Sequence, residues 1–134
     1  MKTINETNYV DKAEKAIRSL RDKAEQQRRG RGELKIVTTS KIRNLLAMTA
    51  DIYNQVMICQ NDKLNDDLKG RIEYLRVRFM YECGREVLVK NFVEEADILS
   101  ILKEINGSKK NYILFSRYME ALIAFHKYYD GKDW

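Results

Sequence analysis

Arginine and tyrosine alternate along one stretch of this sequence at a spacing suited to a helix. Arg71, Tyr74, Arg78, Tyr81 and Arg85 recur at intervals of three and four residues, which places all five along one side of an α-helix. A guanidinium group donates two parallel hydrogen bonds to a phosphate, and a tyrosine ring stacks on a base or donates to a phosphate oxygen. This set, called here the arginine–tyrosine flank, therefore suits the backbone of a nucleic acid.

The same pattern also fits an ordinary solvent-exposed edge of a helix. In that interpretation the tyrosines cover the border of the core, and Glu73, Glu82 and Glu86 pair with the arginines. Exposed pairs of this kind contribute only about 0 to 1 kcal/mol each. Periodicity leaves both interpretations open.

A second basic group stands at a predicted helix start. Lys41 and Arg43 follow three hydroxyl residues, Thr38, Thr39 and Ser40. The N–H groups at a helix N-terminus bind phosphate, and neighbouring cations reinforce the attraction. An ordinary N-cap is the alternative.

The only histidine limits the enzymatic mechanisms open to this chain. A Ser-His or Cys-His pair would have to use His126 as its base, yet its spacing from Met119 and Leu122 places it on the apolar face of a helix. We therefore interpret it as a structural histidine. A helical enzyme that holds a dianion on inward-facing arginines, as chorismate mutases do, is disfavoured because no polar cluster interrupts the apolar faces.

Cofactor motifs are missing from the sequence. Cys59 and Cys83 lie outside any C-x-x-C pattern, which predicts reduced thiols and no Cys/His zinc cage. Gly30 and Gly32 stand among arginines without a preceding strand, so they predict a linker and no phosphate-binding loop. We expect neither a cofactor nor a metal.

Composition predicts a single all-α domain over residues 1–134. The chain has no proline and six glycines, with 44% hydrophobic and 34% charged residues. The net charge is +5, and residues 1–43 hold 12 Lys and Arg against 6 Asp and Glu, a surplus typical of a partner that is a polyanion. The first residues lack the apolar segment of a secretory signal, and no run reaches the ~20 apolar residues of a membrane span. We expect a cytoplasmic protein.

Hydrophobic periodicity predicts a compact bundle of about five helices. The first covers residues 8–27. A basic, flexible linker near 26–36 follows, and residues 34–37 at its end are predicted to form a short extended piece. The second begins near Thr39, and the third is capped by Asn65. The fourth runs from residue 86 or 88 to 104 and stops at Asn106 and Gly107. The fifth is capped by Ser108.

Three ordered blocks of the sequence resemble a known family. They are TTSKIRNLL at 38–46, YLRVRFMYECGR at 74–85 and YMEALIAFHKYYDGK at 118–132, and together they are similar to the small subunit of type III-A CRISPR effector complexes. The last block departs mildly from the family pattern, with Phe125 at the aromatic position and Asp130 before Gly131.

The resemblance implies a non-catalytic helical subunit that acts in antiviral defence. Members of the family stack in several copies beside the crRNA-bound backbone subunits and against the Cas10-type large subunit. They contact target RNA paired to crRNA, mainly through its backbone. The alternative is a stand-alone helical regulator that binds nucleic acid.

The basic residues in the matching blocks are Lys41, Arg43, Arg76, Arg78 and Arg85. Arg76 projects on the opposite side of the buried face from Arg78, so a salt bridge is its alternative role. Glu120, His126 and Lys127 of the last block are interpreted as structural or interface residues. Arg71 lies outside the blocks, and its assignment depends on charge and position alone. The expected RNA-binding set is Lys41, Arg43, Arg71, Arg78 and Arg85.

Overall fold

A computed structural model describes residues 1–28 and 30–130, with only the backbone given for residue 130. Over these residues the chain forms six helices and no strand. Their bounds are α1 Tyr9–Gln27, α2 Thr39–Ile58, α3 Asp66–Arg85, α4 Val87–Glu95, α5 Ile98–Ile105 and α6 Lys109–Asp130. The predicted all-α bundle is confirmed.

The predicted helix starts are confirmed by their capping bonds. Thr38 accepts a hydrogen bond from the Lys41 amide at 3.3 Å, and Asn65 accepts one from the Leu68 amide at 2.9 Å. Ser108 accepts one from the Asn111 amide at 3.2 Å. Each side chain satisfies a backbone donor that the first helical turn leaves unpaired.

The fourth predicted helix is two helices, α4 and α5. Asp97 has φ 58°, a left-handed conformation that a right-handed helix cannot contain. The carbonyl oxygen of Ala96 instead accepts the Tyr118 hydroxyl at 2.8 Å. The apolar spacing continues through Ala96, Leu99 and Leu102, so periodicity alone concealed the break.

The core forms around α6, which packs against α1, α2 and α5. Tyr112, Phe115, Met119 and Leu122 are fully or almost fully buried on one side of this helix. Phe115 meets Phe79 of α3 edge to face, with ring centroids 6.5 Å apart. In α1, Val10 has the spacing of the apolar residues Ala13, Ile17 and Leu20 but is 44% exposed, whereas those three are buried.

Two charged contacts tie the edges of the bundle together. Glu104 of α5 accepts hydrogen bonds from the backbone amides of Lys2 and Thr3 and from the Thr3 hydroxyl. Lys23 of α1 pairs with Glu95 of α4 at 2.7 Å. The N-terminal segment and α1 are thereby fixed to the middle of the chain.

The connection between α1 and α2 combines an exposed first part with a buried end. Gln26 and Gln27 belong to α1, and the connection begins at Arg28. Residues 30–33 are exposed, whereas Ile36 and Val37 are buried in the core. The predicted extended piece at 34–37 forms no strand, and the flexibility of the connection stays a prediction.

The helices of the described residues include none with the length and apolar character of a membrane span.

Candidate nucleic-acid interface

All five residues of the arginine–tyrosine flank lie exposed on α3. Tyr74 is 63% exposed and Tyr81 66% exposed, which is unusual for large aromatic side chains. The adjoining side of the helix buries Leu68, Ile72, Leu75 and Phe79. This burial fixes the orientation of α3, so the flank faces solvent along the full length of the helix.

The three arginines of the flank differ in their local partners. Arg71 pairs with Asp67 at 3.3 Å and donates a hydrogen bond to Gln55 of α2 at 2.7 Å. Arg85 pairs with Glu82 at 3.3 Å, and its guanidinium lies 6.0 Å from the centre of the Tyr81 ring. Arg78 has no hydrogen bond or ion pair within the described part of the chain. Its charge is therefore available to a ligand.

Arg76 lies outside this surface, as its helical phase predicted. Its guanidinium pairs with Glu73 at 2.9 Å, and the residue is half-buried. The alternative role of a salt bridge within the chain fits this geometry.

The second basic group lies at the same edge of the bundle as the flank. α2 and α3 are antiparallel neighbours, and Lys41 at the start of α2 pairs with Glu86 at the end of α3, at 3.4 Å. Arg43 is exposed two residues further along α2. The pairing of α2 with α3 thus brings the two predicted basic groups close together at the Arg85 end of the flank.

His126 positions the start of α2 from within the core. The ring is 1% exposed, with Nε2 2.7 Å from the Val37 carbonyl oxygen and Nδ1 3.1 Å from the Thr39 hydroxyl. Because a carbonyl can only accept, Nε2 carries a proton and donates it to Val37, and in the neutral ring Nδ1 then accepts from Thr39. This histidine holds α6 to the residues that precede Lys41, in keeping with the structural interpretation.

A cleft of about 540 Å³ opens between α2 and α3. Sequence reasoning missed it, because its two walls come from helices whose pairing no motif encodes. The cleft adjoins the flank, and its lining includes Asp51, Ile52, Gly70, Tyr74, Leu75 and Arg78.

The carboxylates near this surface form no metal site within the described part of the chain. Among the residues that the structure describes, no three His, Cys, Asp or Glu side chains could hold a metal ion. Cys59 and Cys83 are both outside any disulfide. Burial raises the pKa of Cys83, and the charge of Glu94 raises it further, so the neutral thiol is favoured.

The fold and this surface define a small helical-bundle protein with a basic, aromatic helix flank. Comparison with known proteins points to one family. A family model described as Csm2 of type III-A matches residues 14–132. The chain is similar to the CRISPR system protein Csm2 of Streptococcus thermophilus, with 41% identity over 99% of this chain and 100% of the relative.

Two further Csm2 relatives match most of the chain. The protein of Mycobacterium tuberculosis is 44% identical over 72% of this chain and 78% of its own length. The protein of Enterococcus italicus is 36% identical over 78% of this chain and 79% of its own length. The chain belongs to the Csm2 family, the small subunit of the type III-A CRISPR Csm complex, a family that is generally non-catalytic.

Proposed function

We propose that this chain is a non-catalytic, RNA-binding subunit of the Csm complex that contacts the backbone of target RNA paired to crRNA. The observation that carries the proposal is Arg78, an exposed arginine without a partner among the described residues, set between two exposed tyrosines. An unpaired guanidinium binds phosphate without first giving up an ion pair. Arg85, Lys41 and Arg43 extend the cationic surface toward the start of α2.

The partners of the other cations set an order among the contacts. Arg85 and Lys41 must exchange Glu82 and Glu86 for phosphate, which costs little because these pairs are partly exposed to solvent. Arg71 already bridges α3 to Gln55 and Asp67. We therefore rank Arg78 first, Arg85, Lys41 and Arg43 next, and Arg71 last.

Bridging of neighbouring subunits is the second part of the proposed function. Repeated copies of this chain, the crRNA-bound backbone subunits and the Cas10-type large subunit are the expected partners, in antiviral defence. Cleavage of nucleic acid is assigned to other subunits, because the single histidine is buried and fully bonded. A stand-alone regulator has no comparable support, since Csm2 relatives match up to 99% of this chain.

The test is purification of a tagged copy of the chain from its native host. Recovery of crRNA together with several Csm subunits supports the proposal, whereas recovery with DNA alone contradicts it.

Isolated protein is expected to bind single-stranded RNA weakly, with steep salt dependence and little sequence preference. Discrimination above about 100-fold between unrelated sequences would show direct reading of bases. RNA cleavage that disappears on a point mutation in this chain would overturn the non-catalytic assignment.

A further inference from the structure

The cleft between α2 and α3 has properties that contact with an RNA backbone does not explain. Its lining includes the buried side chains of Ile52 and Leu75, and the exposed ring of Tyr74 forms part of its wall. The volume of about 540 Å³ exceeds what one nucleobase requires. A flat ligand could lie against this tyrosine with apolar contacts beneath it.

Gly70 keeps the space beside Tyr74 open. It lies one helical turn before the tyrosine, on the same side of α3, and a Cβ built there would meet no atom within 4 Å. Glycine inside a helix is less stable than alanine, yet nothing in this fold occupies the space it leaves. The open space therefore suits an external group.

The charges around the cleft select among possible occupants. Asp51, Asp66 and Asp67 contribute carboxylates to its lining, and these repel a phosphate that enters. Arg71 and Arg78 also line the cleft, and they oppose the entry of a lysine or arginine from a partner protein. A neutral, flat base whose phosphate stays outside, on Arg78, meets both conditions.

We propose that this cleft is a subsite for one unpaired base of bound RNA, which stacks on Tyr74 while its phosphate lies against Arg78. This inference rests on the proposed RNA-binding function and adds a base contact to it. Stacking of this kind tolerates different bases because every base has a π face. The subsite thus agrees with the weak sequence preference expected above.

The experiment compares two RNAs of equal charge with the intact chain. One is an oligoadenylate of about 12 nucleotides, and the other has abasic ribose at its central positions. The wild-type protein should bind the base-bearing strand at least about fivefold more tightly. Tyr74→Leu should bring this ratio close to one without changing the salt dependence of binding, whereas Tyr74→Phe should retain it.

Two more variants separate the subsite from general effects. Tyr128→Leu is the matched control, because Tyr128 is an exposed tyrosine of α6 that lies outside the arginine–tyrosine flank and does not line the cleft, and it should keep the preference. Gly70→Leu fills the space beside Tyr74 with a better helix former, so it should lose the preference while its melting temperature is retained.

Equal affinity of the wild type for both strands, with salt dependence intact, would overturn the subsite and leave the proposed function standing. Retention of the preference by Tyr74→Leu would also overturn it. A Tyr74→Leu protein that keeps the preference but releases a subunit from the reconstituted complex would show that the cleft contacts protein. Absence of salt-dependent binding to either strand would contradict the proposed function and the subsite together.

Discussion

At the scale of single residues, three arginines with the same helical spacing have different surroundings. Asp67 and Gln55 hold Arg71, and Glu82 holds Arg85, whereas Arg78 has no partner in the described ranges. The two interpretations of the arginine–tyrosine flank therefore each describe part of it. Local ion pairs account for Arg71 and Arg85 at the two ends of the flank, and Arg78 at its centre is left for a ligand.

Replacement of Arg78 and Arg85 together by alanine separates binding from folding. The one ion pair lost is exposed and contributes only about 0 to 1 kcal/mol, so thermal unfolding should be nearly unchanged. Loss of two phosphate contacts should weaken RNA binding and reduce the slope of log affinity against log salt by roughly 1.4, at about 0.7 per single-strand phosphate. Affinity measured at three or more salt concentrations checks this.

Leu75→Ala is the control for that double variant. Leu75 is 3% exposed in the core, and its truncation should cost about 2 to 5 kcal/mol of stability. If the double arginine variant instead keeps both affinity and salt slope, the RNA path runs elsewhere, over Lys41 and Arg43. If it unfolds as readily as Leu75→Ala, the arginines stabilise the bundle.

At the scale of elements, the turn between α5 and α6 depends on its glycine. Gly107 has φ 73°, and a Cβ there would come within 2.7 Å of the Lys69 side chain. Gly107→Ala should therefore lower the free energy of unfolding by about 1 to 2 kcal/mol. Gly70→Ala should raise it by about 0.5 to 1 kcal/mol, because that glycine lies inside α3 with open space around it. Chemical denaturation of both variants measures these two changes in the free energy of unfolding. A Gly107→Ala substitution that stabilises the protein would contradict the prediction.

The connection between α1 and α2 is predicted to lack stable order in the free protein. Its residues 30–33 are exposed and contain no apolar side chain, so little burial offsets the entropy of ordering. Hydrogen exchange should be fast there and slow at Ile42 and Leu45 of α2. Strong protection over residues 30–33 without RNA or a neighbouring subunit would refute the prediction.

At the scale of the whole molecule, two carboxylates join parts of the chain that are distant in sequence. At Glu95 and Glu104, burial works to raise the pKa. Hydrogen bonds from Lys23 and Ser19 to Glu95, and from Thr3 and Lys2 to Glu104, outweigh it and lower both values below the usual 4.5. Their ionised forms are therefore favoured in the folded state.

The lowered pKa values predict how stability depends on acidity. The contribution of both carboxylates is complete above pH 4.5 and is lost as the pH falls through their folded-state pKa values. Combined Glu95→Gln and Glu104→Gln substitutions should lower the melting temperature at pH 7 and flatten its decline in acid. Melting curves from pH 7 to strongly acidic conditions measure this. If the melting temperatures of variant and wild type differ by the same amount at every pH, the two carboxylates do not link stability to acidity.

The sequence by itself determined the all-α class, the capped starts of α2, α3 and α6, and the exposed position of the arginine–tyrosine flank. These features depend on residues a few positions apart, where helical spacing fixes which side chains share a face. The resemblance of three blocks also led to the Csm2 family, which the comparisons confirm.

Only the tertiary structure decided which charges pair between helices and what lies beside the flank. The break at Asp97, the Lys41–Glu86 pair and the cleft beneath Tyr74 all depend on contacts between helices. Helical spacing specifies the direction of a side chain relative to its own helix, but it does not specify which neighbour packs against that helix. The contact of Arg71 with Gln55 and the pairing of Lys41 with Glu86 therefore had to come from the packing of α2 against α3.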